Sequence, residues 1–145
     1  MTRIEFAALM RLIAAPEMNH EVEHRIIVAN GPLYAAAKAA DVPLVEIAAL
    51  AWHESRYDVD AVNDKSGAVG ILQVAPSSAD LWCKAMIGSY SVARWRTNIL
   101  CGVHLFALAR ARCPAHPFTA YRTPSHCKPS DYETKIRAII KGVTK

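Results

Sequence analysis

The feature that most constrains this chain is an apolar segment that leads to one acidic residue and is followed by a glycine-containing loop. Residues 43–51 are almost wholly apolar, and Glu54 follows three positions later. Such a segment predicts a buried helix that brings Glu54 inward at its C-terminal end. Burial against apolar neighbours disfavours ionisation of a carboxyl group, and a protonated acid near neutral pH is what glycosidic bond cleavage requires. Glu54 is therefore the candidate catalytic residue.

The loop after this helix contains the run SGAVGILQVAP at residues 66–76. Gly67 and Gly70 permit backbone conformations and close approaches that a side chain would block. Such a loop can bring Gln73 to the wall of a cleft, where its amide offers both donors and an acceptor.

Four blocks together resemble the soluble lytic transglycosylases, the lysozyme-like enzymes that cut the glycan strands of bacterial peptidoglycan. They are Glu54-Ser55, the run at residues 66–76, the sequence NILCG at residues 98–102, and Ala120-Tyr121. The second block is similar to the Gly-Ala-x-Gly-Leu-Met-Gln signature of the family. The resemblance extends from residue 43 to residue 121, about half of the chain.

The resemblance implies a role for each matching residue. Glu54 would be the general acid that protonates the bridging oxygen and then acts as a base. Ser55 and Gln73 would bind the sugar and its acetamido group, and Tyr121 would contribute a hydroxyl that orients Glu54. The sequence departs from the family at Arg122, where an Asn is usual. That departure puts in doubt the contact that the amide normally makes.

The implied reaction cleaves the β-1,4 bond between N-acetylmuramic acid and N-acetylglucosamine and closes a 1,6-anhydro ring without water. A single acid suffices for it. The alternative is an inverting hydrolase, a muramidase, which needs a second carboxylate about 6.5–9.5 Å away to activate water. Asp58, Asp60 and Asp64 are the nearest acids in sequence, and we expect them to lie in a solvated loop.

The remaining pattern predicts a mainly α, lysozyme-like helical bundle with a short loop or hairpin region lining a cleft, in a single domain over residues 1–145. The loop or hairpin is expected at residues 58–74. The predicted helices are Thr2–Ala14, Glu17–Ala29, Pro32–Ala40, Pro43–Glu54, Ser77–Ile87, Ser91–Arg112 and Ser130–Lys141.

A second motif suggests a different class of enzyme. Residues 20–24 read HEVEH, which satisfies the pattern in which His20 and His24 of a zinc peptidase bind one metal and Glu21 activates water. Glu23 places a charge where those enzymes carry an uncharged residue, and no third ligand follows at a recognisable spacing. We therefore interpret the segment as a solvated helix face and predict no metal and no cofactor. A non-catalytic wall-binding protein of a phage particle is a further alternative.

The four cysteines allow three disulfide pairings. Cys101 and Cys113 are expected on one helix roughly 18 Å apart, too far to bond. Of the two remaining pairings we favour Cys83–Cys101 with Cys113–Cys127, because the proline-containing loop after Cys113 can return the chain to it. The alternatives left open are Cys83–Cys113 with Cys101–Cys127, free thiols, and a metal site formed by Cys113, His116, His126 and Cys127.

The net charge of +4 favours approach to an anionic surface such as the bacterial wall. The basic residues are spread along the chain without a nucleic-acid motif, so we predict peptidoglycan as the partner and no nucleic acid. Residues 6–15 are too short and too charged for a membrane span or a convincing signal peptide. We expect a monomer that acts on the wall after phage lysis, virion delivery or specialised secretion.

Overall fold

The computed structural model describes residues 1–88 and 94–144. It confirms a mainly α, lysozyme-like fold, and β pairing within these residues is limited to isolated bridges from Val69 to Val62 and Val74. Within the same residues, none of the helices is both long and apolar enough to cross a bilayer. The helices are α1 (Arg3–Ala14), α2 (His20–Ala39), α3 (Leu44–Ser55), α4 (Pro76–Ser78), α5 (Lys84–Ile87), α6 (Trp95–Arg112), α7 (Pro117–Arg122) and α8 (Asp131–Val143); a 3-10 turn (Ala15–Glu17) follows α1, and a π-helical turn (Ala79–Cys83) joins α4 to α5.

Helix α3 lies at the centre of the core, as its apolar sequence predicts. Residues 47–52 are all buried, and the helix packs against α1, α2 and α8. It ends at Ser55 because Arg56 adopts a left-handed conformation with φ of 54°. This placement puts Glu54 in the last turn of a helix whose position is fixed on several sides.

Helix α2 corrects the prediction of two separate helices that meet near Pro32. It runs without interruption from His20 to Ala39, with Pro32 inside it. Its buried residues continue across the proline at helical spacing, so packing of one face outweighs the lost backbone hydrogen bond. The side chain of Asn30 donates to the carbonyls of Ile26 and Ile27, in the turn before the proline. The buried positions are Val22, Ile26, Ala29, Leu33, Ala36 and Ala37.

The second half of the chain differs from the prediction in three places. The helix expected over 77–87 is interrupted by the π-helical turn at Ala79–Cys83. The expected start of the next helix at Ser91 lies outside the described residues, and α6 is described from Trp95 onward. Helix α7 was not predicted, because its six residues are too few to show a helical period.

The predicted disulfide pairing is confirmed. Cys83 bonds Cys101 with their Cα atoms 5.4 Å apart, and Cys113 bonds Cys127 at 5.6 Å. The first bond ties the π-helical turn to the middle of α6. The second ties the end of α6 to the loop before α8, so the two cysteines of the alternative metal site are joined to each other.

Candidate active site

A cleft of about 910 Å³ opens beside the C-terminal end of α3. Glu54 is the only acidic residue among the described residues that line it. Apart from Arg112, the lining residues from α6 and the π-helical turn are apolar, and we call this part of the lining the apolar wall. The lining also includes His53, Glu54, Gln73, Tyr121, Arg122 and Tyr132, and the apolar wall includes Trp82.

Glu54 is half-buried, and its carboxylate accepts a hydrogen bond from the hydroxyl of Tyr132. Burial raises the pKa of the Glu54 carboxyl above its ordinary value, and this effect exceeds the opposing influences of the Tyr132 hydroxyl and the nearby Arg122 guanidinium. A carboxyl group in this setting stays protonated to higher pH than an exposed glutamate. Glu54 therefore has the partly buried environment and the upward pKa shift that the sequence predicts.

The tyrosine whose hydroxyl hydrogen-bonds the Glu54 carboxylate is Tyr132, which the sequence analysis did not name. The Tyr121 hydroxyl donates to the carbonyl of Leu72 at 2.6 Å, and Tyr121 lines the cleft. Tyr132 is buried, and burial together with the Glu54 charge holds the pKa of its phenol well above the usual value, so it remains a donor. The edge of His53 packs on the ring of Tyr132 with centroids 5.2 Å apart, which fixes the tyrosine from the side of α3.

Ser55 lies behind the cleft rather than on its surface. Its hydroxyl contacts the carbonyl of Ala51 at 3.2 Å and that of Ile71 at 2.8 Å. Ser55 is not among the lining residues. It therefore joins the end of α3 to the loop, which is a different contact from the sugar binding that the resemblance implies.

Gln73 lies on the cleft wall, as expected. Its backbone is left-handed with φ of 53°, and its side-chain nitrogen donates to the carbonyls of Gly70 at 2.9 Å and Ala61 at 3.3 Å. The amide is therefore held from behind by its two N–H groups. Its oxygen accepts no hydrogen bond within the described parts of the chain, so it is available to a ligand donor.

The loop is held against α6 at two glycines. A Cβ on Gly70, where φ is +90°, would lie 1.9 Å from the side-chain oxygen of Asn98. Asn98 is buried and donates to the carbonyl of Val69 at 3.2 Å. A Cβ on Gly102 would lie 2.8 Å from Leu72. The glycines and Asn98 thus allow the close packing that places Gln73 and Leu72.

Helix α7 is fixed by a carboxylate that the sequence did not single out. Glu133 is buried and accepts hydrogen bonds from the backbone N–H groups of Phe118 and Thr119, both at 3.1 Å, and contacts His116 at 2.9 Å and Arg137 at 3.3 Å. Burial alone would raise the pKa of Glu133, but these hydrogen bonds and the Arg137 charge hold it below its ordinary value. Glu133 is thus an ionised cap on α7, next in sequence to Tyr132.

The three acids proposed for a hydrolase do not line the cleft that holds Glu54. Asp58 pairs with Arg25 at 3.5 Å and accepts from the backbone N–H of Asp60 at 2.9 Å. Asp60 and Asp64 are exposed, and none of the three lines the cleft. None of these three acids therefore contributes a second carboxylate to the cleft surface.

The HEVEH segment forms the charged first turns of α2. His20, Glu21 and His24 are exposed, and both carboxylate oxygens of Glu23 accept hydrogen bonds from Arg11. In the portion of the chain that the structure describes, no three His, Cys, Asp or Glu residues lie close enough to hold a metal ion. The segment therefore forms an exposed helix face with an Arg11–Glu23 ion pair, in agreement with the interpretation of the sequence.

Comparison with protein families places this cleft in a known group. Residues 32–123 match the transglycosylase SLT domain, which includes α3, the glycine loop, α6 and α7. No curated protein and no solved structure gives a significant match. A domain of this kind implies a lytic transglycosylase type of enzyme whose substrate is the peptidoglycan of the cell wall. Because the match covers more than half of the chain, the protein belongs to the transglycosylase SLT domain family.

Proposed function

We propose that this protein cleaves the β-1,4 bond between N-acetylmuramic acid and N-acetylglucosamine, with Glu54 as the general acid and base. The observation that supports this most directly is a half-buried Glu54, with a raised pKa and a tyrosine hydrogen bond, as the sole acid among the described residues of the cleft. A lone carboxyl group suits a reaction in which the same residue gives and then takes a proton.

In the proposed first step, protonated Glu54 transfers its proton to the bridging oxygen as the bond from that oxygen to C1 of the muramic acid breaks. The acetamido group of the same sugar stabilises the positive charge that develops at C1. The Glu54 carboxylate then takes the proton of the 6-hydroxyl of that sugar, and the oxygen of that hydroxyl forms a bond to C1. The product carries a 1,6-anhydro ring, and Glu54 is again protonated for the next cycle.

The other side chains have separate proposed roles. Gln73 accepts a hydrogen bond from the sugar through its free amide oxygen, and Tyr121 contributes to the cleft surface that holds the substrate. Ser55 positions the loop through Ile71 rather than contacting sugar. Trp82 is half exposed at the apolar wall, and its ring offers a flat face on which a sugar can pack. We propose that the domain acts as a monomer.

The products distinguish this reaction from hydrolysis. We expect digestion of isolated cell walls in ¹⁸O-labelled water to release 1,6-anhydromuropeptides without label, because the 6-hydroxyl and not water attacks C1. A muramidase would release reducing-end muramic acid that contains ¹⁸O. Mass spectrometry of the released sugars separates the two outcomes, and labelled reducing ends as the main product would reject the transglycosylase mechanism.

The same digestion with a chelator tests the alternative class. Clearing of wall suspensions should be unchanged by chelator, because the proposed chemistry uses only Glu54 and the substrate's own groups. Chelator-sensitive clearing would instead indicate a metal peptidase, and binding without clearing would indicate a non-catalytic wall protein.

Replacing Tyr132 by Phe should move the alkaline limb of the pH profile to higher pH. The active form of Glu54 for the first step is protonated, so activity falls as pH rises through its pKa. The Tyr132 hydroxyl stabilises the ionised carboxylate and lowers that pKa, so its removal raises the pKa further. Initial rates measured across pH check this shift.

A matched control is Tyr34→Phe, which removes a hydroxyl that donates to the carbonyl of Met1 and belongs to a residue outside the cleft lining. That variant should keep the parental pH profile. An alkaline limb that moves to lower pH in Tyr132→Phe would contradict the assigned hydrogen bond.

A further inference from the structure

Arg122 lies at the end of α7, on the cleft, at the position where the sequence departs from the family pattern. Its side chain is exposed, and the guanidinium carbon lies 4.9 Å from the centroid of the Tyr132 ring. The hydroxyl of that same ring contacts Glu54. One tyrosine therefore separates this cation from the reacting acid.

The guanidinium retains donors for a ligand. Stacking on an aromatic face leaves the N–H groups at the edge of an arginine directed away from the ring. Within residues 1–88 and 94–144, Arg122 forms no ion pair, whereas the other cleft cation, Arg112, donates to the carbonyl of Ala120 at 3.1 Å. Arg137, on the outer side of α7, is engaged with Glu133. Of these three arginines, Arg122 is the one whose side chain forms neither an ion pair nor a hydrogen bond within the described residues, so all the N–H groups of its guanidinium are available to a ligand in the cleft.

We propose that Arg122 binds a carboxylate of the glycan substrate and makes the enzyme selective for anionic strands. This inference rests on the proposed function. Guanidinium and carboxylate groups form paired, parallel hydrogen bonds, which an amide in the same place cannot reproduce. In wall glycan the carboxylate can come from two sources: the lactyl group of a muramic acid without a stem peptide, or an acidic residue of an attached stem. Both are charges that uncharged N-acetylglucosamine polymers lack.

The effect of Arg122 on the pKa of Glu54 supports a role for Arg122 in substrate binding. Burial raises the pKa of Glu54, whereas both Tyr132 and Arg122 act to lower it. A positive charge beside a general acid therefore works against its protonated form when the cleft is empty. A bound carboxylate would neutralise Arg122 and remove that opposition in the enzyme–substrate complex.

The test uses three forms of one glycan preparation. The first has its stem peptides removed by an amidase, which leaves free lactyl carboxylates; the second is the same material converted to the neutral methylamide; the third keeps its stems. We expect the parental enzyme to show about tenfold higher kcat/KM on at least one carboxylate-bearing form than on the methylamide, mostly through KM. Whichever form is preferred identifies the source of the carboxylate.

Arg122→Gln should reduce the ratio of kcat/KM on the preferred carboxylate form to that on the methylamide to about one. Arg122→Lys keeps the charge but loses the paired N–H donors of the guanidinium, so it should retain part of the preference. Lys38→Gln makes the same change in net charge at an exposed site at the end of α2, away from the cleft, and should keep the full preference. Circular dichroism checks that each variant is folded.

Equal kcat/KM on all three forms by the parent, or a preference that persists in Arg122→Gln, would overturn the proposal while the cleavage reaction stands. Failure of the parental enzyme to cleave any of the three forms would instead reject the proposed function.

Discussion

Replacing Glu54 by Gln is expected to lower the rate of glycan cleavage by about 10²–10⁴, the contribution typical of general acid–base catalysis. The amide keeps the size of the side chain and can still accept a hydrogen bond from Tyr132, so the fold and wall binding should be retained. It cannot give a proton to the bridging oxygen or take one from the 6-hydroxyl. Release of soluble sugars from purified walls measures the loss.

The matched controls are the amide variants Asp58→Asn, Asp60→Asn and Asp64→Asn. These variants remove carboxylates of the loop after α3 that do not line the cleft, so each should clear walls at close to the parental rate. Near-parental clearing by Glu54→Gln would remove Glu54 from the mechanism, and a severe loss in one of the three Asp variants would point to a second acid.

Replacing Gly70 by Ala should have the largest effect on stability. The added Cβ would lie 1.9 Å from the Asn98 side-chain oxygen, and the backbone there has φ of +90°, which L-residues rarely adopt. Strain in the backbone and displacement of a buried side chain each cost on the order of 1–3 kcal/mol, so we expect a loss of about 2–6 kcal/mol in the free energy of unfolding. Urea unfolding followed by tryptophan fluorescence measures it.

Gly142→Ala is the control for the same chemical change. A Cβ at Gly142 meets nothing within 4 Å, and the residue lies in α8, where alanine favours the helix. That variant should be as stable as the parent or slightly more so. Equal stabilities of Gly70→Ala and Gly142→Ala would contradict the described packing of the loop on Asn98.

The sequence was sufficient to predict what depends on local pattern. The buried helix α3, the end of that helix near Glu54 and the loop with two left-handed glycines all follow from apolar runs and glycine placement. The order and spacing of the motifs indicated the family, and the region that matches the family contains all of these motif residues, from Glu54 to Tyr121.

What the sequence did not reveal depends on contacts between distant segments. Tyr132 lies 78 positions after Glu54 and outside the matched region, and no local pattern distinguishes it from other aromatic residues in a first helical turn. The capping role of Glu133 could not be predicted either, because it depends on helix α7, which the sequence did not indicate. The proline in α2 was misinterpreted since packing over both halves of the helix outweighed a local rule.

The arrangement of the two disulfides has a consequence for how the domain matures. The bonds close loops between positions 18 and 14 residues apart, and these loops follow one another along the chain without overlapping. Neither bond has to form before the other, and each restricts the unfolded chain independently. Cys83 adjoins Trp82 on one wall, and Cys127 precedes the turn that contributes Tyr132. Reduction of the disulfides would therefore remove two independent constraints on the second half of the chain, whereas neither bond cross-links α3, which carries Glu54.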